Sequence, residues 1–416
     1  MTSVTLDPTG ALVVDGQKVF PLGLSLPPPV GGKTPAGKDA WQELKAGGAS
    51  FVRTGRATWD AQQIDAQIAS EKALEDAAAA HGLLSWLWLG DLPNLPTTPG
   101  SPKEQLLTKV VNAFKAHPGL GAYKGIDEPQ HSSIPAAGLV RAHTALRALD
   151  PDHPVVIIQA PVGTVADLTP YRPAFEITGA DIYPVAYPPG AQAGTTNKDI
   201  SLVGDVTKKM VAAAGGKPVW MTLQIAWSGT AISKTRPNVV PRFPSLFDER
   251  FMAYQAIVNG ARGLVFFGGH FTQITRPRDA KAGWNWTFWD LVLKPLFLEL
   301  TSTAVAPALV APNVDATVTA SVQDVELVAR EDDRFFYVIA VRRGAATTGG
   351  GPTNRVTFSG LPAGIADGQV LFEYTQDPIP PPIGAGSQVF RTVGVTNGSF
   401  RDWFGPHDVH VYRFGL

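Results

Sequence analysis

Short apolar segments alternate with amphipathic segments through residues 1–308. Apolar runs of strand length occur eight times, and each is followed by a segment with helical or helix-like spacing of its apolar residues. These candidate strands are 20–26, 50–55, 83–90, 120–129, 155–161, 177–185, 218–227 and 263–270. Strands that are apolar along their whole length are typical of a parallel sheet covered on both faces, and strand–helix alternation indicates βαβ units. Eight such units predict a closed (β/α)8 TIM barrel.

One alternative arrangement of the same elements is an open, doubly wound sheet. That fold commonly carries a Gly-rich phosphate-binding turn after its first strand, and the sequence after residue 26 does not have this fingerprint. The closed barrel is therefore favoured. Its weakest helical connection is segment 164–175, which follows the fifth strand.

The pattern changes after the barrel, and we place the domain boundary between residues 308 and 309. The C-terminal part consists of short, alternating, β-branched segments separated by Gly- and Pro-rich turns, which is typical of an antiparallel β-sandwich. Its candidate strands are 315–322, 325–331, 335–343, 354–360, 369–375, 388–395 and 408–416. Two loop-like stretches, 344–354 and 377–386, interrupt them.

Composition narrows the classes of function. Hydrophobic residues make up 44% of the 416-residue chain and charged residues 17%, so a large core can be buried. The formal net charge of −1 provides no basic patch for nucleic acid or an anionic membrane. The chain has no cysteine, which excludes disulfides, thiolate metal sites and a cysteine nucleophile.

The cellular location is open at this point. No apolar stretch reaches the ~20 residues that a membrane-spanning helix needs. The N-terminal segment 1–17 lacks the basic start and apolar stretch of a secretion signal. A Cys-free chain with 10 Trp and 20 Phe suits an extracellular enzyme whose leader is absent from this sequence, slightly more than a cytoplasmic one. Nothing in the sequence predicts the oligomeric state.

Catalytic residues of (β/α)8 enzymes lie at the carboxyl ends of the strands and in the loops that follow. On the fourth candidate strand this position holds adjacent carboxylates, Asp127 and Glu128, and Pro129 then ends the strand because it has no N–H to donate. Candidate polar residues at the other strand ends are Ser25, Arg53, Asp91, Asp181, Tyr183, Gln224 and His270, and nearby aromatic residues are Trp88, Trp227 and Trp286.

Paired carboxylates beside aromatic rings in a cleft suit the hydrolysis of sugars. A glycosidic bond needs one carboxylic acid to protonate the leaving oxygen and a second group to attack, to activate water or to stabilise the oxocarbenium ion. Aromatic rings stack on the C–H faces of sugars. We expect burial and the charge of Asp127 to raise the pKa of Glu128 toward that of a general acid. Arg53, at the end of the second strand, is a candidate to bind a hydroxyl or a carboxylate, or alternatively to pair with an acidic residue of the barrel.

Several segments resemble a broad group of bacterial (β/α)8-barrel glycoside hydrolases and hydrolase-like proteins. They are "GIDEP" (125–129), "ADIYP" (180–184), "KPVWMTLQ" (217–224), "ERFMAYQAIVNGARGLVFFGG" (249–269) and, in the sandwich, "SFRDWFGPHDVHVYRF" (399–414). The resemblance covers nearly the whole chain and implies that Glu128 is the general acid/base. Asp127 and Asp181 are the candidates for its catalytic partner, and the expected ligand is a carbohydrate.

The sequence departs from retaining glycosidases of this type at two positions. Those enzymes carry Asn-Glu on strand four and a nucleophilic Glu on strand seven, whereas this chain has Asp127 before Glu128 and Gln224 at the second position. The Asp-Glu pair is similar to hexosaminidases in which the 2-acetamido group of the substrate attacks. Inversion, with Asp181 or Asp91 activating a water molecule, is a further alternative.

A carbohydrate-binding barrel without catalysis is the competing class of function. The residues also have structural interpretations: Asp127 as a helix cap, Gln224 as a buried amide at the barrel rim, and Trp88, Trp227 and Trp286 as core packing. No cluster has metal-ligand spacing and no phosphate-binding loop occurs, so the sequence predicts neither a metal nor a cofactor.

Overall fold

The computed structural model describes residues 2–187, 196–225, 240–241, 243–267, 286–314, 317–344, 354–374 and 390–416. The chain begins with a small antiparallel sheet of three short strands, β1 (Val4–Leu6), β2 (Leu12–Val14) and β3 (Gln17–Val19). This sheet was not predicted. Apolar residues Val4 and Leu12 are fully buried in the same cluster as Phe51 and Trp86 of the barrel, so the sheet covers the amino-terminal end of the barrel.

Eight parallel strands then close the predicted barrel. They are β4 (Leu22–Leu24), β5 (Phe51–Gly55), β6 (Leu84–Trp88), β7 (Leu120–Lys124), β8 (Val155–Gln159), β9 (Ile177–Ile182), β11 (Val219–Gln224) and β13 (Ala261–Phe267). Two short strands, β10 (Ala186–Tyr187) and β12 (Val240–Pro241), pair with each other outside the barrel. All eight candidate strands are confirmed, and the prediction of a TIM barrel is correct.

Helices cover the outside of the barrel. The described helices are α1 (Ala40–Ala46), α2 (Ile64–Ala80), α3 (Pro102–Phe114), α4 (Ala136–Leu149), α5 (Val165–Leu168), α6 (Leu202–Ala214), α7 (Leu246–Val258), α8 (Trp286–Phe288), α9 (Lys294–Leu300) and α10 (Ala306–Val310). A π-helical turn, Trp289–Leu293, joins α8 to α9. The weak connection after the fifth barrel strand is α5 followed by a 3-10 turn, Thr169–Ala174.

Local signals explain where several helices begin and end. Ser245 and Asp248 form a capping box at the start of α7, with each side chain bonding the backbone N–H of the other residue. Ser101 caps α3, whose first residue is Pro102. Gly215 ends α6 with a φ of 61°, a left-handed conformation that glycine adopts without steric cost. Among the described helices, none is both long and apolar enough to cross a bilayer.

The C-terminal residues form two antiparallel sheets that make the predicted sandwich. One sheet contains β14 (Thr319–Ala320), β17 (Asn354–Ser359) and β20 (Ser399–Phe404). The other has the order β15-β16-β21-β18-β19, with β15 (Val325–Glu331), β16 (Phe335–Arg342), β18 (Asp367–Tyr374), β19 (Phe390–Gly394) and β21 (Val409–Gly415). Strand β20 lies outside the candidate strands that the sequence pattern gave.

The sandwich packs against the barrel through a shared core. Residues of the five-stranded sheet, including Ile339 and Val411, belong to the same buried cluster as Phe251 of α7. Polar contacts flank this core: Arg250 donates to the Val409 carbonyl over 3.0 Å, and Arg343 of the sandwich forms two bonds with Asp205 of α6, of 2.7 and 2.9 Å. The predicted boundary at 308/309 falls within α10 and remains a prediction.

Candidate active site

A pocket opens at the carboxyl end of the barrel, and the predicted site residues Arg53, Asp127, Asp181 and Tyr183 line it, whereas Glu128 lies outside its lining. It has about 340 Å³ of empty space, counting open solvent at its mouth. Its lining residues come from all eight barrel strands or the positions just after them, and they are Ser25, Arg53, Trp86, Lys124, Asp127, Ile158, Asp181, Tyr183, Thr222, Val265 and Phe267. Most of them are inward-facing because side chains on a strand alternate between its two faces.

Lys124 is a site residue that the sequence analysis missed. It ends β7, which stops before Asp127 and Glu128, so the two carboxylates lie in the following loop. The Lys124 ammonium lies 2.5 Å from Asp127 Oδ1 and 4.7 Å from the centre of the Trp88 ring. Its side chain is 3% exposed, whereas that of Asp127 is 50% exposed. The sequence could have indicated Lys124, because residues two apart on a strand point to the same side, and Ala122 and Lys124 both point into the barrel.

Glu128 has an unusual backbone conformation. Its φ of 44° lies in the left-handed region, which residues with a side chain seldom adopt and which often marks functional sites. The backbone N–H donates to the Ile158 carbonyl of β8 over 2.9 Å, and the Glu128 carbonyl accepts from Ser132. These bonds hold the half-buried Glu128 across the end of β8, toward Asp181 on β9.

Asp181 is the carboxyl group of the pocket whose pKa is raised. Burial raises its pKa well above the usual value, and the nearby carboxyl group of Glu128 and then the charge of Asp127 raise it further. The Tyr183 hydroxyl lowers the pKa of Asp181 by hydrogen bonding. Burial and the carboxylates of Asp181, Asp127 and Glu128 raise the pKa of Tyr183. The Oδ1 atom of Asp181 is buried and has no hydrogen-bond partner among the described residues. Beside Glu128, the Asp181 carboxyl group therefore keeps its proton to a higher pH than an isolated aspartic acid does.

Arg53 points into the pocket from the end of β5. Its guanidinium carbon lies 4.7 Å from the centre of the Trp88 ring and 5.8 Å from that of Phe267, within the range of cation–π contacts. Phe267 also stacks on Tyr183, with ring centres 5.8 Å apart. Burial lowers the pKa of Arg53, while Asp127 and Tyr183 oppose that shift. Because guanidinium pKa values lie far above neutral, Arg53 remains a cation.

Gln224 lies at the end of β11, fully buried, and outside the lining of the pocket. Its Oε1 accepts from the Val185 N–H and its Nε2 donates to the Val185 carbonyl, both over 2.9 Å. The amide thus fixes the segment after β9 to β11. This is the structural interpretation given above, and the geometry offers no support for substrate binding by Gln224.

The remaining candidates are dispersed. Asp91 is exposed and pairs with Lys103 over 3.3 Å, away from the pocket lining. Trp286 is 5% exposed and packs in the main core, with its ring centre 6.5 Å from that of Trp289. The Trp88 ring supports the two cations described above. Trp227 and His270 lie outside the described residues, so their predicted roles stay predictions.

Unpaired polar atoms surround the pocket. Of the buried side-chain atoms that lack a hydrogen-bond partner within the described parts of the chain, five belong to residues in or beside the pocket, namely Ser25 Oγ, Trp86 Nε1, Trp88 Nε1, Asp181 Oδ1 and Thr222 Oγ1. A buried polar atom without a partner costs about 1–3 kcal/mol, so a cluster of them indicates a site that is completed by a ligand or by water. Among the described residues, no group of three or more His, Asp or Glu side chains has the arrangement of a metal site.

Comparison with known proteins identifies the fold. No protein-family model matches the chain, and no curated protein matches its sequence. A solved structure described as a glycoside hydrolase has a TM-score of 0.58 at 11% identity, covering 99% of this chain and 96% of that one. A family 5 glycoside hydrolase from Bacteroides vulgatus has a TM-score of 0.56 at 12% identity, covering 99% and 92%. A GH30 endoxylanase from Clostridium papyrosolvens has 0.52 at 13% identity, covering 96% and 97%.

These likenesses extend over both the barrel and the sandwich, since each covers at least 96% of this chain. At such low sequence identity they establish a shared architecture. The fold that the resemblance implied, a glycoside-hydrolase-like barrel with a C-terminal sandwich, is confirmed.

Proposed function

We propose that this protein is a glycoside hydrolase that cleaves O-glycosidic bonds of an oligo- or polysaccharide at the barrel pocket. The observation that carries the proposal is the pair formed by Asp181 and Glu128, in which a buried carboxyl group of raised pKa faces a second carboxyl group. The glycoside hydrolases of the same fold support it, because their architecture places catalytic groups at this end of the barrel.

The pair supplies the proton that the reaction needs. Two interacting carboxyl groups take up and release protons as one unit, and together they retain a proton at a pH where an isolated carboxyl group has lost it. Glu128 delivers this proton to the glycosidic oxygen as the bond to the anomeric carbon breaks. Asp181 helps to hold the proton on the pair before the transfer, and the proton released by the attacking water restores the acid form of the pair after turnover.

Asp127 has a different electrostatic role. Its carboxylate forms an ion pair with the Lys124 ammonium, so Asp127 presents a negative charge at the edge of the pocket. Such a carboxylate stabilises positive charge that develops on the sugar ring, orients an attacking water molecule, or holds a 2-acetamido group.

The side chain of Gln224 limits which group can attack the anomeric carbon. An amide whose two polar atoms both bond the Val185 backbone cannot act as a nucleophile, so double displacement through this position is excluded. Attack by water gives the inverted anomer, and attack by a substrate 2-acetamido group gives the retained anomer. The anomer first released from a substrate, measured by nuclear magnetic resonance, distinguishes the two routes.

The test is turnover of activated aryl glycosides by the wild type and by Glu128→Gln. The variant is expected to lose at least about a hundredfold in kcat/KM, since general acid catalysis contributes roughly 10²–10⁴-fold. Asp333→Asn, in the exposed turn between β15 and β16, is the matched carboxylate-to-amide control and should behave as the wild type. Equal turnover by Glu128→Gln and the control would refute the assignment of Glu128.

A carbohydrate-binding barrel is the second candidate, favoured by the amide at residue 224. Under this alternative, the wild type turns over no glycoside in a panel that covers both anomers and the common hexoses, pentoses and 2-acetamido sugars. Glu128→Gln would then bind sugar as tightly as the wild type does.

A further inference from the structure

The Arg53 guanidinium has hydrogen-bonding capacity that none of the described residues uses. A guanidinium carries five N–H donors in a planar fork. Among the described residues, Arg53 has no hydrogen-bond or ion-pair partner, and its contacts are the Trp88 and Phe267 rings. Asp127 is near enough to influence Arg53, but its carboxylate contacts Lys124. The side chain nevertheless lines the pocket, so its donors face the space that a ligand would occupy.

Unpaired hydrogen-bond donors also predominate among the other side chains that line the pocket. The indole Nε1 of Trp86 donates only, and the hydroxyl groups of Ser25 and Thr222 can donate; all three atoms are buried without a partner in the described structure. Unengaged acceptors are fewer among these lining side chains, because Asp127 contacts Lys124 and the unpaired acceptor that remains on the carboxyl groups is Asp181 Oδ1. A ligand that satisfies this pocket therefore needs several acceptor atoms and, opposite Arg53, a negative charge.

We infer that the pocket selects a sugar unit that bears a carboxylate, that is, a uronic acid residue, with the carboxylate bound by the Arg53 guanidinium. A carboxylate matches the guanidinium fork with two parallel charge-assisted hydrogen bonds, and its acceptors complement the surrounding donors. This inference rests on the proposed function, because it takes the barrel pocket as the sugar site and adds the class of sugar.

The inference is tested by binding, which does not depend on turnover. The probes are hydrolysis-resistant aryl 1-thioglycosides in matched pairs, a glucuronide with the glucoside and a galacturonide with the galactoside, each in both anomers. Titration calorimetry with the full-length wild type should give at least about tenfold tighter binding of one uronide than of its neutral partner, since a hydrogen bond to a charged group contributes about 1.5–3 kcal/mol. Equal binding of charged and neutral members, or binding of neither, overturns the inference.

Variants of Arg53 test whether this residue is responsible for the preference for the uronide. Arg53→Met keeps the length of the apolar stem and removes the charge, so the preference for the uronide should fall to about one. Arg53→Lys keeps the charge without the planar fork and should retain only part of the preference. Arg401→Gln removes an exposed arginine of the sandwich and should leave the preference unchanged. Thermal unfolding of each variant verifies that it is folded. A full preference in folded Arg53→Met would contradict the inference.

Two further measurements, the binding of other anions and the hydrolysis of uronides and neutral glycosides, distinguish failure of the inference from failure of the proposed function. If a 6-O-sulfated thioglycoside or inorganic phosphate binds as tightly as the uronide, the site is a general anion site and the inference is wrong. If the uronide binds selectively but no aryl uronide is hydrolysed, the inference holds and the proposed hydrolase function fails. If neutral glycosides are hydrolysed without a preference for uronides, the function holds and the inference fails.

Discussion

The carboxyl groups of Glu128 and Asp181 interact although β8 separates the strands that lead to them. The contact is possible because the Glu128 backbone bonds Ile158 of β8 and adopts a left-handed conformation. The pair is therefore built by three strands of the barrel together. Burial and the neighbouring carboxyl groups of Glu128 and Asp127 raise the pKa of Asp181.

Asp181→Asn should stabilise the protein at neutral pH. The folded-state pKa of Asp181 is raised, so its contribution to stability is fully present below the unfolded-state pKa and is lost as the pH rises toward and through the folded-state value. An amide avoids this loss. We expect a gain on the order of 1 kcal/mol at pH 7 that vanishes toward pH 3, together with loss of catalysis. Denaturant unfolding at both pH values measures it; an equal effect at pH 3 and pH 7 would contradict the assignment.

Asp127→Asn should destabilise the protein more at pH 6 than at pH 9. Burial lowers the pKa of Lys124 and Asp127 opposes this effect, so removing Asp127 lowers the Lys124 pKa further. The folded state then binds fewer protons than the unfolded state below the usual lysine pKa, and stability rises with pH. Because Asp127 is half-exposed, we expect a cost of about 1–2 kcal/mol at pH 6 rather than that of a fully buried pair.

The double variant Lys124→Met/Asp127→Asn is the control for this pair. It removes the buried ammonium as well, so it should be more stable than Asp127→Asn alone and should lose the pH dependence. The free energies of unfolding of the wild type, Lys124→Met, Asp127→Asn and the double variant give the coupling energy between Lys124 and Asp127. A double variant less stable than Asp127→Asn would show that Lys124 is held by contacts other than Asp127.

Gln224→Glu should not create a retaining glycosidase. A carboxylate cannot donate to the Val185 carbonyl, and it would be charged in a fully buried position. We expect a loss of about 2–4 kcal/mol of stability and no new activity with retained stereochemistry. Gln42→Glu, on the exposed face of α1, is the matched control. Measurable retaining turnover by a stable Gln224→Glu would mean that the side chain reaches the substrate.

Separation of the chain at 308/309 should yield a barrel that does not fold on its own. The fragment would expose the face of α7 that packs on Ile339 and Val411, and it would leave Arg250 and Asp205 without their sandwich partners. Gel filtration and thermal unfolding of fragments 1–308 and 309–416, alone and together, test this. A monomeric 1–308 fragment with a cooperative transition would show that the two parts are independent domains.

The sequence pattern predicted the barrel well because its signals are local. Each barrel strand lies within a short apolar run, and some of the helices between them, such as α3 and α7, begin at a residue whose side chain caps the helix. Strands β1–β3 escaped prediction because each has three residues and β3 contains the exposed Gln17 and Lys18. The end of β7 was predicted five residues late, since "LGAYKGIDEP" reads as one continuous run.

The site was only partly predictable because its decisive contacts are non-local. Asp181, Arg53 and Tyr183 were named from their positions at strand ends, and the structure brings them together. The acidity of Asp181 depends on Glu128 two strands away, and the role of the Gln224 amide depends on Val185. No pattern within either segment contains this information.

The small sheet β1–β3 covers the amino-terminal end of the barrel, and apolar side chains fill the barrel interior next to it. Under the proposed function, substrate and product therefore both occupy the pocket at the carboxyl end. A product that stays bound there prevents the next substrate from binding. We expect this shared space to give competitive inhibition by the product.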